Sequence, residues 1–180
     1  MNALETERLR LRPLDADDAP FILELLNEPS WIRFIGDRGV RTLDDARRYI
    51  AEGPAAMYAL HGLGLLLVET KEGCESLGIC GLIRRAALPD VDIGFAFLPR
   101  HWGKGFAFEA AEATIAHARH DLGLPRLLAI TSLDNDSSIR LLEKLGMEYV
   151  RTLRLPGEDE DLKLFAIELD EGRASRCDAS

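Results

Sequence analysis

Apolar and polar residues alternate strictly near the start of the chain, in the run ERLRLR at positions 7–12. A period of two places Leu9 and Leu11 on the same face, which predicts a half-buried β-strand. Pro13 ends this pattern, and the apolar positions then recur every three or four residues. That change of period predicts a helix, capped by Asp15 and ending near Asn27.

A second helix is predicted to begin at Thr42, because Asp45 follows three residues later in the arrangement of a capping box. The segment between the two helices, 28–40, contains proline and two glycines and is predicted to be a loop. It also carries Trp31, Phe34 and Ile35, and such large apolar side chains are not typical of a solvent-exposed linker.

The remaining apolar runs predict three consecutive strands, a helix, a strand, a helix and a final strand pair. The three strands fall within 57–70, 76–85 and 91–98, and small residues at helical spacing follow between 107 and 118. The later elements are expected at 127–131, 135–145, 147–155 and 162–169. This order predicts a mixed α+β sheet rather than a doubly wound parallel one.

The composition is typical of a soluble globular domain, with 47% apolar and 29% charged residues in 180. We expect one domain over residues 1–170 and a flexible tail over 171–180. The formal charge of −9 argues against a nucleic-acid-binding face and favours cationic acceptors such as amines. Because no apolar run spans a membrane or forms a signal peptide, we expect a cytoplasmic protein without a membrane partner.

Three features are interpreted as structural rather than chemical. Eight acidic residues lie between 156 and 180, and we interpret this segment as a solvated loop and tail. The three cysteines fit neither a disulfide framework nor a zinc site, and Cys80 is expected in the core. His117 and His120 are three residues apart but have no evident third ligand, so no metal is expected.

The stretch WGKGFA at positions 102–107 is the strongest candidate for chemistry. It follows a predicted strand and precedes a predicted helix, and its two glycines keep Cβ atoms out of a tight turn. Backbone N–H groups in such a turn can bind a phosphate at the helix N-terminus. An ordinary glycine-rich turn is the alternative. The third glycine of a dinucleotide fingerprint and the Ser or Thr of a Walker loop are both missing.

A second motif, NDSSIRLLEKLGM, begins about thirty residues later at Asn135. In this order and spacing, the two motifs resemble the GNAT N-acetyltransferase superfamily, specifically its ribosomal-protein N-acetyltransferase (RimJ/RimL-like) branch. The start TERLRLRPL and the run DIGFAFLPRHWGKGFAFEA support the resemblance, which covers about residues 5–169. It implies a mostly antiparallel central sheet of six to seven strands with about four helices, splayed in the middle to admit CoA.

The resemblance also implies acetyl-CoA as donor, with its pyrophosphate on the N–H groups of 103–107 and its pantetheine arm paired with the strand before them. Trp102 occupies the place of a Gln or Arg in the broad superfamily pattern. Asn135 is implied to contact the cofactor or the splayed strand, although helix capping alone also explains it. The implied cofactor-binding residues are Phe95, Phe97, Leu98, Trp102, Gly103, Lys104, Gly105, Phe106, Ala107, Asn135 and Ser138.

Two residues are candidates for catalysis. Asp92 lies on the strand face with the smaller side chains and can deprotonate the acceptor ammonium; the alternative is a solvated strand-end carboxylate. Ser138 can protonate the departing CoA thiolate, or it can simply bond to backbone in the first helical turn. Trp31, Phe34 and Ile35 either wall the acceptor pocket or pack in the core.

The sequence therefore predicts an acetyl-CoA-dependent N-acetyltransferase that acts on a primary amine by direct attack in a ternary complex. The acceptor, a protein N-terminus, polyamine, amino acid or aminoglycoside, is not selected by these features. The alternative is a CoA-binding regulatory or interaction module without turnover. Both a monomer and a homodimer are compatible with the sequence.

Overall fold

One sheet organises the molecule in the computed structural model, which describes residues 3–170. Its eight strands lie in the order β1-β2-β3-β4-β5-β6-β8-β7. They are β1 (Leu4–Glu5), β2 (Leu9–Pro13), β3 (Leu65–Thr70), β4 (Ser76–Ile83), β5 (Asp92–Phe97), β6 (Arg126–Ser132), β7 (Glu148–Leu153) and β8 (Leu162–Glu168). All neighbours are antiparallel except β5 and β6. The predicted mixed α+β class is confirmed, and the additional strand is β1, whose two residues are too few for a periodic signal.

Six α-helices surround this sheet in the described part of the chain. They are α1 (Ala19–Leu26), α2 (Pro29–Phe34), α3 (Leu43–Ile50), α4 (Ala56–His61), α5 (Phe106–His120) and α6 (Asp136–Lys144). Both predicted capping residues form caps. Thr42 forms a capping box with Asp45 at the start of α3. The Asp15 side chain accepts a hydrogen bond from the backbone of Asp17 and caps a 3₁₀ turn, Ala16–Asp18, that leads directly into α1. A π-helical segment, Ala51–Ala55, joins α3 to α4.

Two short helices were not predicted. Helix α2 lies within the segment expected to be a loop, where Pro29 occupies its first turn. Helix α4 lies within the apolar run expected to be a strand, and Gly62 in the left-handed conformation (φ 67°) ends it. Each helix has six residues, fewer than two turns, so the helical period does not repeat often enough to be recognised.

The central strands are buried on both faces. Leu66 and Val68 of β3 pack in the larger core with α5, whereas Leu67 between them packs in the second core with α1 and α3. The same alternation holds in β5, where Ile93 belongs to the larger core and Ala96 packs against the second. The side chains of β5 therefore alternate between the two faces of the sheet.

The two parallel strands β5 and β6 separate almost as soon as they meet. Their register contains a single pair, Asp92 opposite Leu128, and the Leu128 N–H donates to the Val91 carbonyl at 3.0 Å. Beyond this point, β5 stays paired with β4 and β6 with β8. The strands diverge toward their carboxyl ends, which opens the middle of the sheet as the family resemblance implied.

The proposed division into a domain at 1–170 and a tail at 171–180 stays a prediction, because the tail lies outside the described residues. Within residues 3–170, no helix combines the length and apolar character needed to cross a membrane.

Candidate active site

A cavity of about 1060 Å³ occupies the gap between β5 and β6. Its wall is formed by β5, the glycine loop that follows it, the end of β6, the start of α6, helix α2 and the β7–β8 loop. Pockets for small molecules typically measure about 300–1,000 Å³. The volume is therefore sufficient for a long ligand with a second reactant beside it.

The glycine loop forms the entrance to α5. Gly103 and Gly105 have φ values of 73° and 81°, and Gly105 is the N-cap residue of the helix. A side chain is strained in this conformation, which explains the two glycines. The first N–H groups of a helix lack intrahelical acceptors, and among the described residues no backbone acceptor pairs with the N–H groups of 103–108. The loop therefore has the geometry of a phosphate cradle.

The backbone of β5 presents alternate residues to the cavity. The Leu98 N–H donates to the Leu77 carbonyl on β4 at 3.0 Å, so the even-numbered residues direct their backbone groups toward β4. The odd-numbered residues Phe95 and Phe97 face the gap. The Phe97 carbonyl accepts a hydrogen bond from the Trp102 indole Nε1 at 2.8 Å. This leaves the backbone of Phe95 as the best-placed group for an extended ligand.

Asp92 lies where β5 and β6 begin to separate. Its side chain is only 1% exposed, and the Arg85 Nε donates to Oδ1 and Oδ2, both at 3.1 Å. The alternative interpretation of Asp92 as a solvated strand-end carboxylate is therefore wrong. Burial raises the pKa of Asp92 above its usual value, and the Arg85 charge opposes this rise only in part. A raised pKa makes the carboxylate a stronger base.

Asn135 and Ser138 form the start of α6 on the opposite wall. The Asn135 Oδ1 accepts a hydrogen bond from the Ser138 backbone N–H at 3.3 Å, so the predicted N-cap is confirmed. Both residues line the cavity. None of the hydrogen bonds found within residues 3–170 uses the Ser138 hydroxyl, which is half-buried and available to a ligand.

Helix α2 covers the far end of the cavity. Trp31 and Phe34 both line it, and the Ser132 Oγ donates to the Phe34 carbonyl at 2.8 Å, tying α2 to the end of β6. Trp31 is only 5% exposed and belongs to the second core as well. For Trp31, the pocket and core interpretations therefore both hold.

Two of the predicted site residues lie outside the cavity wall. Leu98 is fully buried with its N–H committed to β4, and Lys104 does not line the cavity. The others come together around one cavity, although they span positions 31–138. They are Trp31, Phe34, Asp92, Phe95, Phe97, Trp102, Gly103, Gly105, Phe106, Ala107, Asn135 and Ser138.

Several polar residues at the far end of the cavity belong to no motif in the sequence. Arg85 was not singled out, and Tyr49 carries no local motif, yet both line the wall. Burial raises the pKa of Tyr49, while the nearby charges of Arg38 and Arg85 oppose the rise. The Tyr49 hydroxyl is therefore protonated at neutral pH and available as a donor.

The acidic segment predicted to be a solvated loop is exposed over residues 156–161, as expected, and it also borders the cavity; the predicted tail lies outside the described residues. The β7–β8 loop brings residues 157–160 to the cavity wall, including the exposed carboxylates of Glu158, Asp159 and Glu160. The run of acidic residues at 158–161 is the one feature of the sequence that marks this loop as unusual. Only the pairing of β7 with β8 shows that this loop reaches the cavity.

A splayed sheet with a phosphate cradle beside the gap is the architecture of an acyl-CoA-binding acyltransferase. The model of the GNAT acetyltransferase domain matches residues 8–148, and the chain belongs to this family. It is an acetyl-CoA-dependent acetyltransferase. The resemblance carried by WGKGFA and the Asn135 helix is thus confirmed at the level of the superfamily.

The relatives agree with this assignment. YoaA of Bacillus subtilis (strain 168), named as an N-acetyltransferase, is 30% identical over 153 residues, covering 84% of this chain and 85% of its own. The crystal structure of an acetyltransferase from Agrobacterium tumefaciens C58 is 28% identical, with a TM-score of 0.79 over 93% and 95% of the two chains. RimL, a ribosomal L7/L12 α-N-protein acetyltransferase solved with coenzyme A, shares the fold at 15% identity, with a TM-score of 0.79 over 93% and 98%.

Proposed function

We propose that the protein transfers the acetyl group of acetyl-CoA to a primary amine by direct attack in a ternary complex. The observation that carries this proposal is the continuity of one cavity, which runs from the glycine loop past Phe95 to the Arg85–Asp92 pair. The donor and acceptor can therefore meet at β5 without a covalent enzyme intermediate.

The chain's own residues fit the donor. The N–H groups from Gly103 to Ala107 would hold the pyrophosphate, because the positive φ of both glycines leaves the concave side of the turn free of Cβ atoms. The backbone of Phe95 would pair with the pantetheine arm, since its polar groups face the gap in the sheet. Lys104 and Leu98 would support the loop and strand without direct contact.

Asp92 would remove the proton that keeps the acceptor amine from reacting. A free amine is mostly protonated at neutral pH, and only the neutral form carries the lone pair needed for attack. Asp92 lies at the far end of the cavity, and its pKa is raised. Its carboxylate would accept a proton from an ammonium bound there, either directly or through a water molecule.

The transfer then forms a C–N bond and breaks the C–S bond of the thioester. The Phe95 N–H would stabilise the carbonyl oxyanion that develops during attack. The Ser138 hydroxyl would donate its proton to the departing thiolate and regain one from the proton released by the amine. The products are the N-acetylated amine, CoA thiol and one proton.

Cysteine chemistry does not enter this scheme. Cys80 is completely buried, and burial raises the pKa of its thiol to about 12. Neither Cys80 nor Cys74 belongs to the cavity wall; Cys177 lies outside the described residues. Direct attack by the amine is therefore favoured over acetylation of the enzyme.

The acceptor end favours a cationic amine. Glu158, Asp159 and Glu160 line the same cavity as Trp31 and Phe34 of α2. Carboxylates at a pocket mouth raise the local concentration of cations. Both a protein N-terminus, as in the RimJ/RimL-like branch, and a small-molecule amine meet this description. The cytoplasmic location and the choice between monomer and homodimer stay predictions.

The test is an acceptor screen with acetyl-CoA that follows the release of CoA thiol. Peptides with free N-termini, polyamines, amino acids and aminoglycosides form the panel, and each N-acetylated peptide serves as its blocked control. We expect release above the hydrolytic background with at least one free amine and none with its blocked form. Tight CoA binding without release in any arm would favour the non-catalytic binding module.

A further inference from the structure

Arg8 lies behind the glycine loop, where it contacts three successive parts of the α5 entrance. Its Nη1 donates to the Lys104 carbonyl at 3.0 Å, and its Nε donates to Glu109 Oε2 at 2.7 Å. The guanidinium also stacks over the Phe106 ring, 4.5 Å from the ring centroid. A residue 96 positions away in sequence thus holds the loop from outside the cavity.

The contact with Lys104 controls the direction of a donor on the cavity side. In a trans peptide, the carbonyl of one residue and the N–H of the next point in opposite directions. Arg8 holds the Lys104 carbonyl on the outer side, so the Gly105 N–H points the other way. Accordingly, Gly105 lines the cavity and Lys104 does not.

The contact with Glu109 places a positive charge beside a carboxylate at the same site. Glu109 lies in the first turn of α5, where its carboxylate would repel a phosphate bound at the helix N-terminus. Burial alone would raise the pKa of Glu109, but hydrogen bonds from Thr6 and from the backbone and side chain of Arg8 hold it below its usual value. The carboxylate is therefore ionised, and Arg8 supplies the compensating charge.

We propose that Arg8 is a positioning residue for the donor: it orients the Lys104–Gly105 peptide toward the pyrophosphate and neutralises Glu109 beneath it. The inference rests on the proposed use of this loop for acetyl-CoA. A planar guanidinium is suited to this task, because its donors address Lys104 and Glu109 simultaneously while its face covers Phe106. Lysine offers one point charge and cannot make all three contacts.

Arg10, two residues further on in strand β2, provides a matched control. Its side chain is 50% exposed, compared with 45% for Arg8, and its nearest carboxylate is Glu69, at 3.9 Å. Arg10→Met therefore removes an equally exposed positive charge from β2 without touching the glycine loop. The set of variants is Arg8→Met, Arg8→Lys and Arg10→Met.

Calorimetric titration with CoA gives a readout independent of turnover. We expect Arg8→Met to raise the Kd for CoA about tenfold, in line with the loss of a charge-assisted hydrogen bond. Arg8→Lys should bind CoA several-fold more weakly than the wild type does, and Arg10→Met should bind CoA as tightly as the wild type. Equal affinity of Arg8→Met and the wild type would overturn the proposal, and so would equal losses in Arg8→Met and Arg10→Met.

A truncated donor separates a positioning role from a general loss of structure. S-acetylpantetheine has no pyrophosphate, so Arg8→Met should lower kcat/KM for acetyl-CoA and leave kcat/KM for S-acetylpantetheine nearly unchanged. The same fractional loss with both donors would contradict the proposal.

In a Glu109→Gln background, the effect of Arg8→Met on CoA affinity should persist; its disappearance would refute the orienting role. If the wild type did not bind CoA, that result would instead contradict the proposed function itself.

Discussion

The Arg85 Nε lies 3.1 Å from both carboxylate oxygens of Asp92, at the point where the sheet opens. Asp92 is 1% exposed and Arg85 is 31% exposed, so the cation shields a carboxylate that water hardly reaches. Burial and the guanidinium act on the pKa of Asp92 in opposite directions, and burial prevails. This balance makes the proton affinity of the proposed base adjustable by substitution of its partner.

Replacement of Arg85 by glutamine should therefore move the acid limb of the pH profile of kcat/KM to higher pH. Arg85 lowers the pKa of Asp92, so its removal raises that pKa further, and Asp92 becomes protonated at a pH where the wild type is still ionised. The measurement is kcat/KM for a responsive amine across pH 5–9. Arg84→Gln is the matched control, because Arg84 is the exposed neighbour and lies outside the cavity wall. A limb shifted equally in both variants would rule out the specific pairing.

Asp92→Asn should lower kcat/KM by roughly a hundredfold, and most strongly toward lower pH, where more of the amine carries a proton. The affinity for CoA should change little, because Asp92 lies away from the glycine loop. Amines of low pKa are already neutral at the assay pH, so their kcat/KM should fall less in this variant. A pH profile identical in shape to that of the wild type would remove Asp92 as the base.

Ser138→Ala should lower kcat by roughly 10²-fold while the Kd for CoA stays within about twofold, since a general acid acts on the thiolate only as it leaves. Ser137→Ala serves as control, because this neighbouring hydroxyl is exposed and bonds to the Asn135 side chain. A more acidic leaving thiol should restore part of the lost rate. Full turnover in Ser138→Ala would reject the assignment.

Gly105→Val should raise the Kd for CoA by tenfold or more. At φ 81° a branched side chain is strained by roughly 1–3 kcal/mol, so the loop must change conformation and turn its N–H groups. Gly123→Val imposes similar strain at φ 60° beyond the other end of α5. Both variants should lose thermal stability, but only Gly105→Val should lose affinity in a calorimetric titration; comparable CoA affinity in the two would contradict the phosphate cradle.

Neutralising the β7–β8 loop with Glu158→Gln, Asp159→Asn and Glu160→Gln should raise KM for a polycationic amine several-fold at low salt, and less at high salt, because exposed charges are screened. An uncharged analogue of the same amine should be unaffected. The control replaces Glu72, Glu112 and Glu148, which are exposed and outside the cavity wall, with glutamine. If the control triple variant behaves identically, the carboxylates at the cavity have no particular role.

Much of the fold could be predicted because local signals were strong. The alternation around Leu9 and the caps at Asp15 and Thr42 each depend on a few consecutive residues, and the structure confirms all three. Helices α2 and α4 could not be predicted, because six residues in each provide too few turns for a period. Their helical state depends instead on packing at the edge of the cavity, where Trp31 and Met57 lie.

By itself, the sequence determined the donor side of this protein. The glycines at 103 and 105 act through their own backbone, and the Asn135 side chain caps the helix that it begins, so these motifs carry their information locally. Tertiary structure decided the rest: which carboxylate Arg85 shields, where the β7–β8 loop ends, and that Arg8 reaches Lys104. Those relationships join residues brought together by strand register and by the order of strands in the sheet, and a linear pattern does not encode such distances.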